Sequence, residues 1–188
     1  MRATKRSLVM IGLALLLALP LLGPQGPGGF RLSAERRRDP LNQEEINQLR
    51  DAMLDPSERL KLYVKFSRDR MVKLEQMRSD PKTQDRALKT HDMLEDFLAL
   101  YGELDDNIEM YVQRKEDLRK PLKLVIEADT EFQSKLRALK NSISAKGEET
   151  SQYEFVLTDA VDTVDSSADD HRKTLVEVEE YVKHKKKK

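Results

Sequence analysis

Hydrophobic side chains recur at helical spacing through the middle of the chain. Fifteen positions between residues 94 and 143 follow one another at alternating steps of three and four, and thirteen of them are apolar or aromatic. This spacing places all of them on one face of a helix and is typical of coiled coils and long bundle helices. We call these positions the seam: Leu94, Phe97, Tyr101, Leu104, Ile108, Tyr111, Lys115, Leu118, Leu122, Val125, Asp129, Phe132, Leu136, Leu139 and Ile143. The pattern predicts one helix over about residues 82–145.

Pro121 lies inside this predicted helix, which must therefore bend or break there. Proline in a helix interior removes a backbone hydrogen bond and costs about 3 kcal/mol. The seam nevertheless keeps its spacing on both sides of Pro121, and the three residues before it (Leu118, Arg119 and Lys120) are poor N-cap residues. We therefore predict an all-α protein, an elongated antiparallel helical bundle or coiled coil built on one long helix kinked at Pro121. The alternative is a compact four-helix bundle with a break at Pro121.

Aspartate–proline pairs indicate where other helices begin. Asp55 and Asp80 each precede a proline, as does the aspartate at position 39. Aspartate is a preferred N-cap residue, and proline suits the first helical position because no partner for its N–H is needed there. Glu58, three residues after Asp55, completes the pattern of a capping box. These signals predict helices over about 43–54 and 56–78, and a third helix that begins near residue 81.

Gly147 is expected to end the long helix, since glycine is favoured just past a helix C-terminus. A last helix is predicted over about residues 148–183. Its apolar face consists of Tyr153, Val156, Ala160, Val164, His171, Leu175, Val178 and Val182. The prediction is thus a single all-helical domain over residues 35–183, followed by a basic, disordered tail over residues 184–188.

The first 34 residues have the layout of a secretory signal followed by a Gly/Pro linker. Arg2, Lys5 and Arg6 precede an apolar run over residues 8–22, which is shorter than the ~20 residues that cross a bilayer as a helix. Cleavage is expected between residues 23 and 34. The sequence therefore predicts an exported protein, periplasmic or extracellular, with anchoring of an uncleaved N-terminus in the membrane as the alternative. The chain has no cysteine, so disulfides and thiolate metal sites are excluded.

Charge is distributed unevenly along the chain. Residues 35–182 carry 25 basic and 34 acidic side chains, a net charge of −9, which argues against nucleic acid as a partner. Lysines are concentrated in the last six residues of the sequence. Clustered lysines attract anionic surfaces through salt-dependent electrostatics. The candidate residues for contact with a polyanion or an anionic envelope surface are Lys183, Lys185, Lys186, Lys187 and Lys188.

Residue patterns typical of catalytic and metal sites are missing from the sequence. The histidines at 91, 171 and 184 lack the Glu-x-x-His spacing of metal-binding bundles, although Glu95 lies one turn after His91. We expect solvated or partly buried histidines, no metal site, no cofactor and no catalytic residues. The many aspartates of the last helix are interpreted as a solvated face.

Lys115 and Asp129 are the two polar residues of the seam. They are 14 residues apart, roughly 21 Å along a helix, so they cannot pair with each other within one helix. We expect each to contact a partner on an opposing helix, because polar residues at such positions usually fix the register between helices.

The leading hypothesis is an exported, non-enzymatic helical protein that acts as an envelope-associated scaffold or protein-binding module, with other protein chains or a second copy of itself as partners. Residues 41–49, "LNQEEINQL", resemble the Leu-Thr-x-x-Gln segments of small helical periplasmic chaperones, although threonine and glutamine are not at the positions of that motif. This resemblance implies a periplasmic holdase-like chaperone as an alternative function. A helical metal-binding protein is the third.

Overall fold

The computed structural model describes residues 39–143 and 150–185, and in these residues the protein is all-helical. The helices are α1 (Gln43–Asp51), α2 (Pro56–Ser79), α3 (Arg86–Gln113), α4 (Arg119–Ile143) and α5 (Glu154–Lys185). The all-α prediction is confirmed. The predicted signal segment, the predicted stop at Gly147 and the lysines at 186–188 lie outside the described residues.

Helices α2, α3, α4 and α5 form a bundle in which α2 packs against α3 and α4, and α5 packs against the same two helices. Helices α3 and α4 therefore face each other across the core. Their aromatic side chains meet there, with the ring centres of Phe97 and Phe132 5.2 Å apart. Both phenylalanines are fully buried, as are most residues of the seam. The seam thus forms the interior of a four-helix bundle.

Hydrogen bonds between the helices define their directions. Arg59 near the start of α2 donates to Asn107 of α3, and Arg78 near its end donates to Thr90, so α2 and α3 are antiparallel. Helices α4 and α5 are also antiparallel, because Arg137 near the end of α4 binds Asp165 whereas Lys123 near its start lies close to Glu179. Short helix α1 packs along α2.

The predicted continuous helix over residues 82–145 is wrong, because the chain reverses between Gln113 and Arg119. Lys115 adopts a left-handed conformation with φ of 60°, and its N–H donates to the Val112 carbonyl at 2.9 Å. The Glu116 N–H donates to the Tyr111 carbonyl at 3.1 Å. These two bonds form a Schellman motif, which ends a helix and usually has glycine at the left-handed position. The seam passes through this break without losing its spacing, so periodicity does not reveal it.

Pro121 neither bends nor breaks a helix, since it lies in the first turn of α4. The Leu122 N–H donates to the Leu118 carbonyl at 2.9 Å, which places Leu118 immediately before the helix. The N–H groups of the first turn have no partner within a helix, so proline loses nothing there. The rod kinked at Pro121 is therefore replaced by a compact bundle whose break precedes the proline.

Of the three predicted aspartate caps, Asp39 caps no helix, because Asn42 is the N-cap of α1. The other two have different outcomes. The Asp55 carboxylate accepts a hydrogen bond from the Glu58 N–H at 3.0 Å and caps α2, as predicted. The prediction that Asp80 caps a helix is wrong. Its carbonyl accepts from the Thr83 N–H at 3.2 Å, which closes a turn with proline in its second position, and α3 begins only at Arg86. The same dipeptide serves both purposes because proline also suits that turn position.

Residues 41–49, which resemble a chaperone motif, form α1 and its cap. The Asn42 side chain accepts from the Glu45 N–H and the Glu45 carboxylate accepts from the Asn42 N–H, both at 2.9 Å, which is a complete capping box. The predicted face of the last helix packs against the core along α5. Helix α5 continues to Lys185, so residues 184 and 185 of the predicted disordered tail are helical.

Candidate functional site

A buried polar network lies at the centre of the bundle, where α3, α4 and α5 meet. His171 of α5 is 4% exposed and Asp129 of α4 is fully buried. His171 Nδ1 lies 2.9 Å from Asp129 Oδ2. Tyr101 of α3 donates its hydroxyl hydrogen to Asp129 Oδ1 at 2.7 Å. One carboxylate therefore joins three helices.

The network continues from His171 towards the surface through Asp105. His171 Nε2 lies 3.0 Å from Asp105 Oδ1, and the Ser167 hydroxyl donates to Asp105 Oδ2 at 2.6 Å. The Asp105 side chain retains 30% of its exposure. A chain of polar contacts thus runs from the buried Tyr101 hydroxyl to solvent at Asp105. We call these five residues the His171 network: Tyr101, Asp105, Asp129, Ser167 and His171.

The histidine of this network is held in its charged form. Burial alone would lower the pKa of His171, but the hydrogen bonds and negative charges of Asp105 and Asp129 raise it to about 9. Both ring nitrogens face carboxylates, and only the imidazolium form offers a hydrogen on each. Burial raises the pKa of Tyr101, and the charge of Asp129 raises it further, so its hydroxyl remains a donor.

The geometry suits the His171 network for fixing helix register, because a mispaired helix would leave charges buried without partners. The prediction that Asp129 contacts a partner on an opposing helix is confirmed. Lys115 lies outside the core, exposed in the α3–α4 turn, and its contact with another helix is with the ring of Tyr181 on α5. The expectation of a solvated or partly buried histidine is wrong for His171. The signal was present in the sequence: an aspartate in the seam and a histidine on the apolar face of the last helix.

A second buried ion pair fastens α1 to α2. Arg70 Nη2 lies 2.6 Å from Glu45 Oε2, and both side chains are 8% exposed. The Arg70 guanidinium also donates to the carbonyl of Pro40. Burial alone would raise the pKa of Glu45, but the hydrogen bonds from Arg70 and from the Asn42 N–H, together with the charge of Arg70, outweigh it and the pKa is lowered. Sequence reasoning missed this pair because Glu45 and Arg70 are 25 residues apart in the chain and lie on different helices.

Three metal-ligating side chains lie together on the outside of α3. His91 Nδ1 is 3.7 Å from Asp92 Oδ1 and 3.9 Å from Glu95 Oε2. Potential ligand atoms of all three side chains fit within 4.8 Å of one another. His91 Nδ1 is itself shielded from solvent and has no hydrogen-bond partner within geometric limits. The spacing of His91 and Glu95 noted in the sequence therefore brings their side chains together.

Lys183 and Lys185, the predicted polyanion-binding lysines that fall within the described residues, lie at the end of the bundle where α3 ends, α4 begins and α5 ends. Lys115 Nζ lies 6.0 Å from the ring centre of Tyr181, which places the α3–α4 turn against the last turns of α5. We call residues 114–123 and 179–185 the basic end. Lys183 and Lys185 are exposed there.

The opposite end of the bundle carries a cleft. A cleft of about 480 Å³ lies between the start of α3 and the segment before α5. Its lining consists of Thr83, Asp85, Arg86, Ala87, Leu88 and Gln152. Leu88 is 57% exposed, and Phe155, three residues after Gln152, is 86% exposed. We call this region the cleft end.

The chain matches no protein-family model, no curated protein and no solved structure. In residues 39–143 and 150–185, none of the helices combines the length and the apolar character needed to span a bilayer.

Proposed function

We propose that this protein is an exported, non-enzymatic helical protein that acts as an envelope-associated scaffold by binding another protein chain at the cleft end. The observation that carries the proposal is the exposure of two large apolar side chains: Leu88, which lines the cleft, and Phe155, which follows Gln152 of the same lining by three residues. The basic end, which includes Lys183 and Lys185, then faces an anionic envelope surface. The signal-like layout of residues 1–34 supports export.

The cleft end combines exposed apolar side chains with a cleft, as protein-docking sites do. Aromatic and aliphatic side chains that enter a partner's pocket contribute most of the binding energy of many interfaces. Phe155 offers such a side chain, while the neighbouring cleft can receive one from the partner. Thr83, Asp85 and Arg86 supply a polar rim around it. The partner expected here is a helical or extended protein segment with an exposed apolar residue.

Site-specific photo-crosslinking in intact cells tests the proposal. A photoreactive residue replaces Phe155 in one variant and Val176 in the other. We expect one discrete protein adduct from position 155, either a heterologous partner or a second copy of this chain, and none from position 176. Val176 is a matched control because it lies on the same helix and is 56% exposed.

A second substitution shows whether that adduct depends on the cleft. Leu88→Glu is expected to abolish the adduct at position 155, because a charge would have to be buried in an apolar contact. Val176→Glu is the control, because Val176 is 56% exposed and Leu88 is 57% exposed. This substitution should leave the adduct at position 155 intact. Failure to form a discrete adduct at position 155, or an equal adduct at position 176, would contradict the proposal.

Binding of a divalent metal ion is a second candidate function, favoured by the cluster of His91, Asp92 and Glu95. Zinc bound tetrahedrally at about 2.0–2.2 Å from each ligand keeps its ligand atoms roughly 3.4 Å apart. The distances of 3.7 Å and 3.9 Å from His91 Nδ1 to the two carboxylates are close to that value. Titration calorimetry of the full chain with zinc should show one site that His91→Ala removes and His184→Ala leaves intact. Equal titrations of the two variants would exclude the cluster.

A further inference from the structure

Apolar side chains are exposed at the same end of the bundle as the clustered lysines. Helix α2 begins at this end, because Arg59 near its start donates to Asn107 near the end of α3. The connection between α1 and α2 directly precedes that start. It holds Leu54, which is 90% exposed, and Met53, which is 62% exposed. Tyr181 of α5 adds an aromatic side chain that is 37% exposed.

The charge of this end is opposite to that of the rest of the molecule. Residues 114–123 and 179–185 hold seven basic and four acidic side chains, a net charge of +3, and three more lysines follow in the sequence at 186–188. The remaining residues from 35 onwards hold 20 basic and 30 acidic side chains, a net charge of −10. A negatively charged surface orients a molecule with this charge distribution, so that the basic end faces the surface and the acidic body faces away from it.

Two of the four acidic side chains at this end already have basic partners. The Asp117 carboxylate accepts hydrogen bonds from the Arg119 guanidinium, and Glu179 lies 3.8 Å from Lys123. The lysines at 115, 120, 183 and 185 are exposed. Glu116 and Glu180 are exposed as well and reduce the local positive charge. The net charge of this end therefore describes it better than any single lysine does.

We propose that the basic end docks on the surface of an anionic lipid bilayer, with Leu54 and Met53 entering the headgroup region and the lysines contacting lipid phosphates. Exposed apolar residues beside lysines are the combination that binds such interfaces, since burial of the apolar groups and attraction to the anionic lipids add together. A soluble polyanion would contact the lysines but would leave Leu54 in water. This inference rests on the proposed envelope association and names the surface.

A single tryptophan placed at the predicted contact reports on docking directly, because the chain has no tryptophan of its own. Leu54→Trp places the probe at the basic end. Phe155→Trp places it at the cleft end, where the replaced side chain is 86% exposed against 90% for Leu54. Both probes are built into the full chain, so binding by residues 1–34 affects both equally. The ligands are phosphatidylglycerol vesicles, phosphatidylcholine vesicles and soluble polyphosphate.

We expect phosphatidylglycerol vesicles to shift the emission of Leu54→Trp to shorter wavelength and to leave Phe155→Trp unchanged. Phosphatidylcholine vesicles should produce no shift in either variant. A shift of equal size at both positions, or no shift at position 54, would overturn the proposal. If the protein binds polyphosphate and vesicles leave the emission of Leu54→Trp unchanged, the lysines bind a soluble polyanion and not a lipid surface.

Charge reversal supplies the second measurement. Each lysine near an anionic surface contributes about a fivefold factor in affinity, so reversing Lys120, Lys183 and Lys185 to glutamate should weaken vesicle binding on the order of a hundredfold or more. The matched control reverses Lys82, Lys89 and Lys140, three exposed lysines on the opposite half of the bundle. Equal losses in the two triple variants would contradict docking by the basic end.

These outcomes are distinguishable from failure of the proposed protein contact. Crosslinking at Phe155 reports on the cleft end, and tryptophan emission at position 54 reports on the basic end. A discrete protein adduct without vesicle docking would leave the scaffold proposal standing and remove the lipid surface. Docking without an adduct would do the reverse.

Discussion

The His171 network and the Glu45–Arg70 pair are both buried and both ionic, yet they hold different parts of the molecule. The His171 network joins α3, α4 and α5 at the centre of the core. The Glu45–Arg70 pair attaches the short helix α1 to the outside of α2. The comparison shows that burial alone does not define the importance of an ion pair. Loss of the first affects the whole bundle, whereas loss of the second can be limited to the detachment of one helix.

The titratable group also differs between the two clusters. In the His171 network the cation titrates, so its stabilising effect disappears at alkaline pH. In the Glu45–Arg70 pair the arginine stays charged at all accessible pH values and the carboxylate titrates. The pKa of Glu45 is lowered, so this pair stabilises the protein above the ordinary glutamate pKa and loses its effect as the pH falls.

Substitution of Asp129 should have the largest effect. Asp129→Ala leaves the buried His171 cation with one carboxylate and the Tyr101 hydroxyl without an acceptor, so we expect the free energy of unfolding to fall by about 3–5 kcal/mol. Asp129→Asn is the control, because it keeps an oxygen acceptor for Tyr101 and removes only the charge. Urea denaturation measures both variants. An equal loss in both would show that the charge, and not the hydrogen-bonded geometry, is what matters.

Alkaline pH should weaken the whole bundle. The pKa of His171 is raised from its ordinary 6.5 to about 9, so its contribution is complete below pH 6.5 and disappears as the pH rises through 9. The difference corresponds to about 3 kcal/mol in the free energy of unfolding. His171→Gln should be less stable at neutral pH but should lack this alkaline decline. A decline of the same size in wild type and variant would assign it to other groups.

Loss of the Glu45 charge should weaken only the attachment of α1. In the unsubstituted protein this loss occurs at acidic pH, whereas His171 loses its charge at alkaline pH. Glu45→Gln is expected to lower the protection of the α1 amides against hydrogen exchange by about 1–2 kcal/mol, because Arg70 loses its buried counter-ion. The centre of α3 should keep its protection. Glu44→Gln removes a neighbouring charge that is exposed and should change neither. Equal loss of protection in α1 and α3 would mean that α1 is integral to the core.

The smallest effect is expected at the break that lets α4 bring Asp129 to the core. Lys115 has a φ of 60°, a conformation that costs side-chain-bearing residues energy and that glycine adopts freely. Lys115→Gly should therefore raise the free energy of unfolding by about 0.5–1 kcal/mol and leave the alkaline decline unchanged. Lys115→Ala is the control that removes the side chain without relieving the backbone. Destabilisation by glycine alone would contradict the role given to this conformation.

Much of the fold could be predicted from the sequence because it is encoded in local patterns. Period and apolar character identified the helical class and the buried seam, although they merged α3 and α4 into one helix. A capping residue followed by proline located the start of α2 at Asp55. Asp80 shows the limit of such signals, since the same dipeptide closes a turn there. Of the candidate site, the contact of Asp129 with an opposing helix was predictable. Its partners were not, because Tyr101 and His171 are 28 and 42 residues away.

The sequence by itself determined the helical class, the burial of the seam and the concentration of lysines at the C-terminal end of an otherwise acidic domain. Only the tertiary structure decided that the seam folds back on itself at Lys115 and that Pro121 starts a helix. The physical reason is that a left-handed residue without glycine leaves no local signature, and the packing of α3 against α4 through Phe97 and Phe132 offsets its cost. The reversal is also what brings the His171 network together, so that network belongs to the fold and not to any one segment.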